Sequence, residues 1–169
     1  MKEHYIIISG TDRKGSNTHK VAVQYQQLLE QFGIGSSVVS LESLDLKKGS
    51  AGYSSIETEF LRPFEKFIFI SPEYNGSFPG VLKTMLDISD YKNVWWGKKA
   101  LLVGVSTGRS GNVRGMEHLT SILHYLKVVV HPNKLPISSV DKLLNGAGSI
   151  LDNDTIKAMK VQLDEFIRF

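Results

Sequence analysis

His4-Tyr5-Ile6-Ile7-Ile8-Ser9-Gly10-Thr11-Asp12-Arg13-Lys14-Gly15-Ser16-Asn17-Thr18 is the stretch that decides the fold. Its first six residues form an apolar, β-rich run ending on a small polar residue, the pattern of a strand buried on both faces in a parallel sheet. Val21, Tyr25, Leu28, Leu29 and Phe32 then recur at helical spacing, with Asn17 or Thr18 placed to cap the start and Gly33 to end the helix. Working outward, four further strands are expected at Ile34 to Leu41, Lys66 to Ser71, Ala100 to Ser106 and, shorter and interrupted by proline, Val128 to Ile137. Helices are predicted over Pro79 to Ser89, from about Arg114 to Leu126, and at the end of the chain. There Ile156, Met159, Leu163, Phe166 and Ile167 follow Asp152-Asn153-Asp154. Right-handed crossovers put helices on both faces of such a sheet. The predicted architecture is α/β, a three-layer α/β/α sandwich whose five-stranded parallel sheet has the order 2-1-3-4-5, in one domain over residues 1–169. The segment Glu42 to Glu59 is too long for a simple connection and reads as a short helix or a mobile stretch.

The 169 residues, 41% hydrophobic and 22% charged, suit a folded domain with a sizeable core and exclude a disordered chain. Cysteine is absent, which removes disulfides, thiolate metal sites, iron–sulfur clusters and redox-active dithiols. Redox chemistry would therefore need a cofactor. The five histidines offer no metal spacing, since His118 and His124 are six apart and do not share a helix face. Behind Met1-Lys2-Glu3-His4 the run Tyr5 to Ile8 is shorter than a signal-peptide core, and no apolar stretch approaches the roughly 20 residues of a membrane span. A cytoplasmic protein without membrane partners is expected. The net charge of +3 is spread over scattered Lys and Arg, which favours small anionic ligands over nucleic acid.

In an open doubly wound sheet, ligands bind outside the carboxyl ends of the strands. After the first strand, Thr11, Ser16, Asn17 and Thr18, the Arg13 guanidinium and the N–H groups at a helix start converge as a phosphate site would require. Gly10 and Gly15 have P-loop spacing, but Ser16 and Asn17 stand where Lys and Ser/Thr are needed, and no G-x-G-x-x-G follows the strand. A monophosphate suits this loop better than a nucleoside triphosphate or a dinucleotide. After the third strand, Ser71-Pro72-Glu73-Tyr74-Asn75-Gly76-Ser77-Phe78-Pro79-Gly80 is shaped by two prolines. Asn75-Gly76 can turn N–H groups outward toward a flat heterocycle, with Tyr74 against its face or edge. After the fourth strand, Ser106, Thr107, Gly108 and Gly111 belong to a third glycine-rich loop. Together the three loops are placed for the phosphate, ring face and ring edge of a mononucleotide. No G-x-S-x-G elbow is present, and Glu73 is a lone carboxylate, so no conventional catalytic residue and no metal ligand is assigned.

These residues resemble the NADPH-dependent FMN reductase family, within the flavodoxin-like superfamily, over almost the whole chain. The most specific element is Pro72-Glu73-Tyr74-Asn75-Gly76-Ser77-Phe78-Pro79-Gly80-Val81-Leu82-Lys83 with Asp87, similar to the family's isoalloxazine loop and the helix after it. Gly10-Thr11-Asp12-Arg13 with Ser16-Asn17 resembles its G-S-x-R and S-x-N phosphate loop, with Thr11 in place of serine. Ser106-Thr107-Gly108 with Gly111 resembles the loop along the other flavin edge. Asn112 departs from a frequent second glycine, and Ile88 with Asp90 from a usual tryptophan and basic residue. The resemblance implies FMN as cofactor, with FAD the runner-up, and hydride transfer from NADPH or NADH to flavin N5. A small acceptor then takes two electrons: a quinone, azo compound, metal oxyanion or free flavin. It also implies a homodimer or homotetramer, for which Trp95 and Trp96 are interface or core candidates. Lys14 and Arg109 are candidate contacts for the donor's phosphates. The alternative is an FMN-binding electron carrier that does not oxidise NAD(P)H directly, although flavodoxins in that role are acidic and this chain is basic.

Overall fold

The computed structural model describes residues 4–42 and 44–169; Met1-Lys2-Glu3 and Ser43, the latter within the long connection, lie outside the described residues. Strand β1 (His4–Ser9) sends Ile6 and Ile8 to one side of the sheet and Tyr5 and Ile7 to the other, all fully buried. It is flanked by β2 (Gly35–Ser40) and β3 (Lys66–Pro72), with Ile8 opposite both Val39 and Phe69. β4 (Lys99–Val105) pairs in turn with β3, placing Phe69 beside Leu102. Every strand pairing is parallel, and with β5 (Val129–Val130) at the far side the order is β2-β1-β3-β4-β5.

Helix α1 (Asn17–Gln31) covers the Tyr5 and Ile7 face with Val21, Tyr25, Leu28 and Leu29, joined by Met159, Leu163 and Phe166 of α7 (Asn153–Arg168). A buried polar link joins the two helices, where the Tyr25 hydroxyl donates to Gln162 Oε1 at 2.6 Å. Burial drives the Tyr25 phenol well above its ordinary pKa, so it remains a neutral donor. The Ile6 and Ile8 face is covered by α2 (Ala51–Ile56), α3 (Gly80–Ile88) and α5 (Val113–Tyr125).

The long connection after β2 therefore holds a helix. α2 widens into a π-turn over Glu57–Leu61, where Arg62 N–H reaches Glu57 O at 2.9 Å. Glu57 fastens this segment: it accepts from Arg62 at 2.6 Å and from the Asp90 N–H at 3.1 Å. Asp90 also faces Arg62 at 3.5 Å, beside the short α4 (Tyr91–Val94). The fifth strand is divided. His131-Pro132-Asn133 breaks it into β5 (Val129–Val130) and β6 (Leu135–Ile137), both parallel to β4, because proline lacks the N–H that a ladder needs. α1 is capped by Ser16, whose hydroxyl accepts from His19 N–H at 3.1 Å, one residue earlier than expected. Gly33, at φ +74, follows its end as predicted. Pro79 stands at the N-cap of α3, just ahead of the first turn. Trp95 is core, donating to Ser89 Oγ at 2.6 Å, whereas Trp96 is 53% exposed. Among the described residues, no helix is long and apolar enough to cross a membrane.

Candidate functional site

The parallel sheet brings the loops after β1, β3 and β4 to one edge. Gly10 lies where the chain leaves β1 over β3: its N–H donates to Ile70 O at 2.9 Å, and a Cβ would sit 3.0 Å from both that oxygen and a Leu82 methyl. Gly15, at φ +60, turns the chain into α1. With the third N–H of the helix taken by Ser16, the first-turn N–H groups of Asn17 and Thr18 remain unclaimed by the helix.

After β3, Glu73 N–H extends the pairing to Val105 O at 2.9 Å. Tyr74 and Ser77 then close a two-residue hairpin through bonds of 2.8 and 3.1 Å, with Asn75 at φ +51 and Gly76 at φ +75. This is a type I′ turn, for which Asn-Gly is the favoured pair. Among the described residues, neither the Asn75 nor the Gly76 N–H makes a hydrogen bond. After β4, Ser106 organises the loop: its hydroxyl donates to Gly108 O at 2.9 Å and accepts from Gly111 N–H at 2.9 Å. Ser139 and Val140 N–H donate to Gly108 O and Ser106 O, so the start of α6 (Val140–Leu143) seals the loop from below.

Two adjoining cavities run along this edge. The first, ≈ 240 Å³, is lined by Thr11, Arg13, Ser16, Asn17, Thr18, Pro72, Glu73, Tyr74, Ser106 and Thr107 together with Lys14, Gly15, Val105 and Val140. The second, ≈ 620 Å³, is lined by Asn75, Gly76 and Gly108 with Arg109 and Ser110, and shares Glu73, Ser106 and Thr107 with the first. Of the fourteen predicted site residues, thirteen meet in this cleft. Gly111 lines neither cavity: a Cβ there would lie 2.6 Å from Pro136 Cβ, so its place is packing against β6, at φ +56. Tyr74 belongs to the first cavity. Its hydroxyl is 2.8 Å from Thr11 Oγ1, and Arg13 lies over its ring at 5.0 Å, so it faces the loop after β1.

Among the residues not predicted as contacts, Val140 carries no local signal, because it reaches the site only through the return of the chain after β6. Ser110 could have been read from the third loop; its hydroxyl donates to the Glu73 carboxylate. Lys14 and Arg109, expected only as contacts for a donor's phosphates, line the first and second cavities respectively.

The donor set fits a flavin mononucleotide. Hydroxyls, two cations and a helix start surround the first cavity, as a phosphate dianion needs. Free turn N–H groups border the second, where a Cβ on Gly108 would meet only open space. Residues 4–142 match the family model described as NADPH-dependent FMN reductase. The chain belongs to that family. Membership makes FMN the cofactor and NADPH or NADH the donor of a redox enzyme. Among relatives, a 2-hydroxy-1,4-benzoquinone reductase from Burkholderia sp is 30% identical over 128 residues, 69% of this chain and 70% of its own length. An NAD(P)H-dependent FMN reductase from Pseudomonas aeruginosa is 34% identical over 110 residues, 62% of this chain and 58% of its own. The fold is that of FerB, a flavoenzyme NAD(P)H:(acceptor) oxidoreductase from Paracoccus denitrificans, with TM-score 0.81, 23% identity, and 99% and 96% of the two chains covered.

Proposed function

We propose that this chain, a single FMN-binding domain, holds the flavin phosphate in the first cavity and the isoalloxazine ring along the second. On this reading it carries two electrons from NAD(P)H to a quinone-class acceptor. The observation that carries the reading is the pair of adjoining cavities, one cationic and rich in hydroxyls, the other bordered by free turn N–H groups. When bound, FMN supplies a ring that takes a hydride at N5 and gives two electrons up again. The protein's part is orientation and charge. Arg13, Ser16, Asn17 and Thr18 grip the phosphate, and the Thr11 hydroxyl reaches it or the adjoining chain. Asn75 and Gly76 N–H donate to the ring edge, while Thr107 and Gly108 line its other side. Pro72 borders the phosphate side, and Glu73, with Ser106 and Thr107, forms the joint between the two cavities, its carboxylate held by Ser110. Lys14 and Arg109 are left for the donor's phosphates.

The acceptor assignment rests on the quinone reductase among the relatives. The need for NAD(P)H supports a cytoplasmic setting. Exposed Trp96 and Tyr125, 53% and 85% accessible, support a homodimer or homotetramer. The test is an anaerobic visible spectrum of protein reconstituted with FMN and desalted, taken before and after NADPH and then NADH, followed by a quinone. Retained yellow colour that bleaches with a nucleotide and returns with the quinone is expected. Colour that persists under both nucleotides would make the chain an electron carrier.

A further inference from the structure

Asn112 ties the loop after β4 to the end of β3, next to Glu73 and Ser110 of the second cavity. It precedes α5 at φ +61, a conformation open to glycine without cost, yet its side chain is 1% exposed and fully engaged on one side. The amide nitrogen lies 3.0 Å from Ser71 O, 3.2 Å from Ser71 Oγ and 2.9 Å from Pro72 O. Three acceptors around one terminal atom identify it as the nitrogen. The amide oxygen is buried without a partner. It occupies the space that a side chain on Gly115 would need, since a Cβ there would be 2.0 Å from it and 2.7 Å from the Ser77 carbonyl carbon. The gap at Gly115 thus admits the amide and lets α5 abut the Tyr74–Ser77 hairpin. Glycine at position 112 would take the same φ and remove the unpartnered amide oxygen, but it would also take the amide donor away from the buried Ser71 O and Pro72 O, so the asparagine does something that backbone conformation does not require.

We propose that Asn112 is a positioning residue. It fixes the exit of β3 against the loop after β4 and so sets the width of the second cavity, hence the fit to the flavin ring. Its acceptors Ser71 and Pro72 directly precede Glu73, which borders both cavities, and among the described residues it makes no hydrogen bond to the loop of residues 11–18 that lines the first. The inference rests on the reading that the ring lies along the second cavity. It therefore predicts a loss at the ring end alone, which comparison of FMN with riboflavin separates from a loss at the phosphate end.

The experiment titrates FMN and riboflavin, by quenching of flavin fluorescence, into the full chain and into Asn112→Gly and Gly115→Ala. Thermal unfolding of each protein confirms that it is folded. Both variants should bind both flavins about tenfold more weakly, with the FMN-to-riboflavin affinity ratio unchanged, as expected for loss of a few hydrogen bonds that act on the ring alone. Unaltered riboflavin affinity in Asn112→Gly overturns the proposal while leaving the assignment of the cleft intact. A fall in the affinity ratio also overturns it, because that would mean the whole cleft had loosened. If the unmodified chain binds neither flavin, the proposal and the reading beneath it fail together. Should Gly115→Ala not fold, Asn112→Gly decides alone, since glycine accepts its φ.

Discussion

The two cavities of the cleft are held together in opposite ways. Around the first, the loop of residues 10–18 mostly braces itself. Thr11 N–H bonds Ser9 O, Arg13 N–H bonds Thr11 Oγ1, and His19 N–H bonds Ser16 Oγ, none spanning more than three residues. The second cavity is held by contacts between distant parts of the chain. Asn112 reaches back to Ser71 and Pro72, Glu73 to Val105 and Ser110, and Ser77 Oγ to His118 Nδ1 at 2.9 Å. A self-braced loop forms wherever its helix forms, while a cavity between two loops exists only once the sheet and α5 are packed. On the proposed placement of the flavin, the loop at the phosphate end is thus robust, and the ring end inherits every disturbance of the core beneath it.

The largest break in this contrast should come from Gly104→Ala. A Cβ there would lie 2.0 Å from Gly111 O, 3.0 Å from Met116 Cε and 3.1 Å from Asn112 Cβ, so a backbone carbonyl of the loop after β4 would have to move. Overpacking of this kind should cost about 3 kcal/mol of folding stability, read from equilibrium urea unfolding. A midpoint equal to that of the unmodified protein would mean that the loop after β4 has slack, and the contrast between the two ends would lose its basis.

The same contrast explains what could be read without coordinates. The strand–loop–helix of residues 4–31 was legible because its signals are local: an apolar run, a turn glycine and a cap in sequence order. Even the cap shifted by only one residue, to Ser16. Asn75-Gly76 was legible for the same reason, since the pair specifies its own turn. Gly111 shows what a sequence leaves out: a glycine beside a ligand and one under packing look alike, and the proximity of Pro136 to Gly111, brought in by β6, appears only in the fold. The division of the last strand turned on Pro132, which marked an interruption without saying that the chain would resume pairing with the same neighbour, β4. Asn112 was noticed as a departure from pattern, but its three acceptors lie about 40 residues away and become neighbours only through the β3–β4 pairing.

Arg13→Ala sharpens the comparison from the phosphate side. Loss of one charge-assisted contact should weaken FMN binding by about 2 kcal/mol and leave riboflavin binding unchanged. The paired titrations would then give Arg13→Ala and Asn112→Gly opposite signatures, one altering the ratio of the two affinities and the other both affinities at a constant ratio. Equal losses of FMN and riboflavin in Arg13→Ala would indicate that the guanidinium acts through Tyr74, over whose ring it lies, rather than on the phosphate.

The smallest effect concerns the contact that crosses between the two ends. The Tyr74 hydroxyl lies 2.8 Å from Thr11 Oγ1, joining the hairpin loop to the self-braced one. If the ends are mechanically separate, this contact is worth only its own hydrogen bond. If the first cavity steadies the second, the contact transmits more. A double-mutant cycle with Tyr74→Phe and Thr11→Val, measured by unfolding without flavin, should return a coupling of about 1 kcal/mol. A second cycle with FMN bound discriminates further. The same coupling in both states means that the two ends are set before the ligand arrives, whereas a coupling that appears only with FMN means that the ligand, and not the hydroxyl pair, holds the ends in register.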